Sequence, residues 1–176
     1  KASVLFLGGD PMYANFFGFR LGIPKYAYTE NDAFSNVGYT KVFKRSIHGD
    51  LMKDNVYNYL SSIKASVDLK SSDSKEFDIL FFCGSRPRHF KLLAPLICEA
   101  VDIIHKSNSS LNLCIGVSPF IKEKEINALK NQFSSLFETN ILSIRHEHSL
   151  GLLSKSQILI TIPGSNTAEA MYMKVP

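Results

Sequence analysis

From residue 77 onward, short unbroken apolar runs alternate with longer segments whose apolar residues recur every three or four positions. The runs at 77–82, 111–117, 141–145 and 158–162 read as buried strands. Between them, residues 90–105 carry apolar side chains at 90, 93, 97, 100, 101 and 104, the period of a helix packed on one face. A second helix is expected from Ser118-Pro119 to Phe137, with Ile126, Leu129, Phe133, Leu136 and Phe137 inside. Residues 149–155 make a short third helix. The run 158–162 then meets a small-residue loop, Pro163-Gly164-Ser165-Asn166-Thr167, which opens into a helix-forming run to Met173. Strands alternating with helices imply crossover connections and a parallel sheet, hence an α/β layer fold.

The first sixty residues are less regular. Residues 3–7 read as a buried strand and Gly8-Gly9 as a turn. Asp10 stands where a helix N-cap belongs, with Pro11 at the first helical position. A helix over 12–21 is stopped by Gly22-Ile23-Pro24. A short strand follows at 25–29, then loop with one more short strand around 41–43. From 50 a weak helical period (Val56, Leu60, Ile63) dissolves into a polar tract ending at Glu76. The expected organisation is a domain over 1–60, a linker over 61–76 and a second domain over 77–176. Residue 1 stands at the threshold of a strand and Lys174-Val175-Pro176 leads toward another, so the chain is expected to be a fragment of a larger protein.

Composition narrows the class. The 176 residues are 45% hydrophobic and 20% charged, as in a globular protein. No apolar run approaches the ~18 residues that span a bilayer, and residues 2–7 are too short for the apolar region of a signal peptide. The cysteines Cys83, Cys98 and Cys114 cannot all pair and none lies in a C-x-x-C spacing, which points to reduced thiols in the cytoplasm. The net charge of +4, scattered along the chain, suits an anionic small ligand or an anionic membrane surface and is too weak a footprint for nucleic acid.

Three loop–helix junctions are candidates for chemistry, because ligands of parallel sheets collect at the carboxyl ends of the strands. At Gly164-Ser165-Asn166-Thr167-Ala168-Glu169, small side chains admit phosphate oxygens to the backbone, the hydroxyls of Ser165 and Thr167 can donate, and Glu169 can hold ribose hydroxyls. A capping box, with Asn166 as N-cap and Glu169 closing back on it, explains the same residues. At Cys83-Gly84-Ser85-Arg86-Pro87-Arg88, two arginines precede a helix whose dipole favours anions there, so a bound anion would offset them. Asp10 is either a plain N-cap or a general base toward an acceptor hydroxyl. His146-Glu147-His148 has an H-x-H spacing but no third ligand at a sensible distance, so it reads as loop and no metal site is expected.

The order of these motifs carries a resemblance. Phe82-Cys83-Gly84-Ser85-Arg86, then Leu92-Leu93-Ala94-Pro95, then Ile160 through Ala170 and Lys174-Val175-Pro176 resemble lipid-A-disaccharide synthase. That family has a P-G-S-R loop, an L-L-P helix, an S-G-T-A-T-L-E-A segment and a closing G-V-P. Gly8-Gly9-Asp10-Pro11, Phe16-Phe17 and Leu21-Gly22-Ile23-Pro24 look like its G-I-D-A-P-D-F-N and L-G-I-P. His48-Gly49-Asp50 falls at its turn before the linker. Cys83 and Pro163 depart from the pattern, and the family's V-W-A-W segment is not recognisable in residues 32–43.

The resemblance implies two Rossmann-like parallel-sheet domains facing a cleft, both incomplete here. It implies an inverting glycosyltransferase that moves an acylated glucosamine from UDP to an acylated glucosamine 1-phosphate in lipid A synthesis. The partners are then a UDP-sugar donor and a lipid-linked sugar acceptor, with no cofactor, at the cytoplasmic face of the inner membrane. Asp10 would be catalytic; Gly84, Ser85 and Arg86 would meet the diphosphate. Gly164, Ser165, Asn166, Thr167 and Glu169 would bind the rest of the nucleotide. The alternatives are another UDP-sugar enzyme of this architecture, such as an epimerase, and a non-catalytic nucleotide-sugar-binding remnant.

Overall fold

The computed structural model describes residues 4–6, 25–29, 44–47, 51–66 and 75–176. The chain divides into two compact units, Lys1–Asp54 and Asn55–Pro176.

The first unit contains three parallel strands, β1 (Val4–Phe6), β2 (Lys25–Thr29) and β3 (Lys44–Ile47), in the order β1-β2-β3. β2 occupies the expected residues and β1 lies within them. The strand expected around 41–43 lies outside the described residues; β3 pairs Tyr26 with Lys44 through Thr29 with Ile47. Lys44-Arg45-Ser46 has no apolar alternation to mark it, so pairing with β2 rather than local pattern selects the strand.

Helix α1 (Leu51–Ser66) runs from the first unit into the second. The division thus falls inside α1, and the polar tract expected as a linker, 61–76, overlaps its last turns.

The second unit is a four-stranded parallel sheet of β4 (Phe77–Phe82), β5 (Leu113–Gly116), β6 (Leu142–Arg145) and β7 (Ser156–Thr161), in the order β6-β5-β4-β7. Its helices are α2 (Pro87–Ser107), α3 (Glu123–Gln132), α4 (Ser134–Glu138), α5 (Ser149–Ser154) and α6 (Ser165–Met173). The α/β expectation is met, with a parallel sheet of the Rossmann-like kind.

Two apolar layers sandwich this sheet. On one face Phe81 and Ile115 meet Phe90, Ala94, Cys98 and Val101 of α2, Ile126 and Leu129 of α3, and Leu136 of α4. On the other, Leu80, Phe82 and Cys114 meet Val56 of α1, Leu150, Leu152 and Leu153 of α5, and Ala170 of α6. Alternate residues of β4 therefore feed opposite layers, as the period of a strand requires.

The single helix expected from Ser118 to Phe137 is instead two. Residues 118–121 form a turn closed by the Ile121 amide donating to the Ser118 carbonyl at 3.0 Å, and α3 begins only at Glu123. The Glu125 carboxylate accepts the Lys122 amide at 3.1 Å, which fixes the start there. Phe133, at φ −122° and ψ 41°, breaks the helical path before α4. The apolar period survives the break because Phe133, Leu136 and Phe137 still pack against the same layer as Ile126 and Leu129.

Candidate functional site

The strand order reverses at β4. The chain leaves β4 for α2 on one face of the sheet, and leaves the neighbouring β7 for α6 on the other. Between two such diverging connections a crevice opens at the carboxyl ends of the strands, where open α/β sheets bind their ligands. The Thr161 hydroxyl donates to the Phe82 carbonyl at 3.3 Å and ties the two strand ends together at this point.

A cavity of about 380 Å³ lies at this edge, within the range of small-molecule sites. Four loops line it. Gly84 and Ser85 come from the β4–α2 loop, Gly116 to Pro119 from the end of β5, His146 to Ser149 from the β6–α5 loop, and Asn166 from the first turn of α6.

Local physics accounts for the shape. Gly84 has φ +82°, and a Cβ there would stand 2.9 Å from Ile162 Cδ1 and 3.2 Å from His89 Nδ1, so only glycine fits. At Gly116 a Cβ would overlap the Phe82 ring, which needs the bare backbone beneath it to close the cavity floor. Gly164 differs: its backbone is extended and a Cβ would meet nothing within 4 Å.

The two helix N-termini at this edge are both uncapped by side chains. α2 starts at Pro87 with Arg86 as N-cap, no side-chain cap bond and no acidic residue in the first turn. The Arg86 carbonyl accepts the His89 and Phe90 amides at 2.9 and 3.1 Å, while the Arg86 side chain is exposed. α6 starts at Ser165 with Gly164 as N-cap and again no side-chain cap. The capping-box explanation for Asn166 and Glu169 is therefore excluded. Asn166 is the second helical residue and lines the cavity, and the Glu169 Oε2 atom is buried without a hydrogen-bond partner among the described residues. Leading amides of a helix left without side-chain caps are available to an anion.

The His146–His148 loop is a wall of the cavity, and no cluster of three metal-ligating side chains exists among the described residues. His148 Nδ1 accepts the Leu150 amide at 3.3 Å and caps α5. In that arrangement the neutral ring carries its proton on Nε2. Glu147 pairs with Lys155 at 2.7 Å, and Lys155 also reaches Glu76 at 3.5 Å. The hydrogen bond from Lys155 to Glu147 raises the ammonium pKa above its ordinary value. These contacts hold the loop against the sheet.

Of the residues expected from sequence, Gly84, Ser85 and Asn166 line one cavity although the first and last lie some eighty positions apart. Arg86, Gly164, Ser165 and Thr167 sit on the adjoining exposed turns and do not line it. Asp10 lies outside the described residues. The β5 and β6 loops were not foreseen as walls; the signal available was only that each follows a buried strand at the carboxyl edge. No family model matches the chain, and no curated protein matches it.

Proposed function

We propose that this chain carries the nucleotide-sugar half of an inverting glycosyltransferase of the two-domain, B-type architecture, similar to lipid-A-disaccharide synthase. The observation that supports it most is the convergence of Gly84-Ser85 and Asn166 on one cavity at the point where the strand order reverses. The diphosphate of a UDP-sugar would lie across the uncapped N-termini of α2 and α6, with Arg86 supplying a cation beside it. Glu169, whose buried Oε2 has no hydrogen-bond partner among the described residues, would accept from the ribose hydroxyls.

In this reading the reaction is a single displacement. A hydroxyl of the lipid-linked acceptor loses its proton to Asp10 and attacks the anomeric carbon. The carbon–oxygen bond to UDP breaks as the new one forms, with inversion. Charge growing on the departing diphosphate is what Arg86 and the helix amides stabilise. A lipid-linked acceptor brings the enzyme to a membrane surface. Among the described residues no helix is long and apolar enough to cross a membrane.

Calorimetric titration of UDP into the chain tests the nucleotide half, with saturable binding expected and a loss of at least tenfold in Arg86→Ala. No binding at millimolar UDP would favour a remnant module. Assay of the complete gene product with UDP-sugar and lipid acceptor tests the other half. Unchanged turnover in Asp10→Ala would remove Asp10 from the chemistry.

A further inference from the structure

Imidazole has two ring nitrogens, and at His148 the fold engages only one of them. Nδ1 accepts the Leu150 amide at 3.3 Å, the N-cap bond of α5. The proton of the neutral ring is then on Nε2, and among the described residues Nε2 has no hydrogen-bond partner. His148 also lines the cavity that Gly84, Ser85 and Asn166 line. With Nδ1 turned onto α5, the donor that this ring brings to the cavity is the Nε2–H group.

The surroundings suit an anionic oxygen as the partner of that donor. Glu147, beside it on the same wall, is held by Lys155 at 2.7 Å, which offsets the carboxylate charge. No other acidic residue lines the cavity among the described residues. Asn166, on another wall, belongs to the first turn of α6, whose leading amides carry no side-chain cap. A hydrogen bond to a charged oxygen is shorter and stronger than one to a neutral acceptor. The bond to Leu150 sets both the tautomer and the direction of the ring, so the donor is in place before a ligand arrives.

We propose that His148 is a phosphate-binding residue of this cavity, donating Nε2–H to a diphosphate oxygen of the nucleotide while the Leu150 amide holds the ring in the tautomer that can do so. The inference rests on the nucleotide-sugar reading above and adds to it a contact from the β6–α5 loop.

Two variants separate the donor from the cap. Asparagine is a preferred N-cap and its side chain ends where Nδ1 stood, so His148→Asn keeps an acceptor for Leu150 and removes Nε2. Glutamine is not a preferred N-cap, but its amide nitrogen reaches about where Nε2 stood, so His148→Gln does the reverse. Calorimetric titration at about pH 8 keeps the ring neutral. UDP affinity is expected to fall roughly tenfold or more in His148→Asn, with Tm unchanged. His148→Gln is expected to lose less affinity and more Tm. Inorganic pyrophosphate is expected to lose affinity for His148→Asn as UDP does. In the wild-type chain, which needs no variant to fold, the His148 Nε2 nitrogen resonance is expected to move on adding UDP while Nδ1 stays. Equal UDP affinity in wild type and His148→Asn, or an unmoved Nε2 resonance in a chain that binds UDP, overturns the proposal and leaves the nucleotide site standing. A loss seen with UDP and absent with pyrophosphate takes the contact off phosphate and also overturns it. No UDP binding to the wild type overturns both readings.

Discussion

Gly84 and Gly164 begin the two loops proposed to meet phosphate, and alanine at each separates folding from binding. At Gly84 the backbone sits at φ +82°, which costs a non-glycine residue about 1–2 kcal/mol. The added methyl also meets Ile162 Cδ1 at 2.9 Å and His89 Nδ1 at 3.2 Å. Both neighbours are side chains that can give way, so the whole effect of Gly84→Ala is about 1–3 kcal/mol, or a fall in Tm of roughly 5–15 °C for a domain of this size. Gly164 is extended, and its added methyl meets nothing within 4 Å. Gly164→Ala therefore changes stability by less than about 0.5 kcal/mol. With phosphate placed at that turn as proposed, the added methyl would crowd it, so UDP affinity is expected to fall at least tenfold. Thermal melts followed by circular dichroism, with UDP titration of each variant, check both halves. Equal Tm losses for the two variants would refute the backbone reasoning. Wild-type UDP affinity in Gly164→Ala would refute the placement of phosphate at that turn.

Three further outcomes follow from the packing and charge. Gly116→Ala, whose methyl would overlap the Phe82 ring, is expected to destabilise by about 1–3 kcal/mol in chemical denaturation. Replacing Phe82 with leucine in the same background should recover part of the loss. Burial pushes the Cys83 and Cys98 thiols up to about 12 and Cys114 to about 11. The native chain at pH 8 should then react only slowly with a thiol reagent such as DTNB, and all three thiols should react at once in guanidinium. The Lys122 amide, together with Lys91, holds the Glu125 carboxyl below its ordinary 4.5. A depressed carboxylate contributes stability above its unfolded value and loses it as pH falls through the folded one. The stability gap between wild type and Glu125→Gln should therefore be constant near neutrality and close as the pH drops below 4.5.

Much of the second unit was legible in the sequence because its strands are continuous apolar runs. β4 occupies the expected residues, and β5, β6 and β7 lie within two residues of theirs. Pro87 marked the start of α2 as a proline at the first helical position should. The misreadings came where a tertiary contact outweighs local pattern. The break at Phe133 is invisible to a period that both α3 and α4 obey. At the site, the glycine and small-residue turns marked Gly84, Ser85 and Asn166, which line one cavity. Sequence alone could not choose between a capping box and an open helix end at Gly164–Glu169. The choice depends on whether the helix starts at Ser165 or two residues later, and helix boundaries are poorly marked by composition.

The most direct test of the proposed nucleotide site is an amide-resolved NMR titration of the chain with UDP. The account predicts saturable shifts confined to residues 84–88, 116–119, 146–149 and 164–167, with helices α3 and α4 silent. An absence of shifts at millimolar UDP, or shifts centred away from the carboxyl edge of β4 and β7, would contradict it.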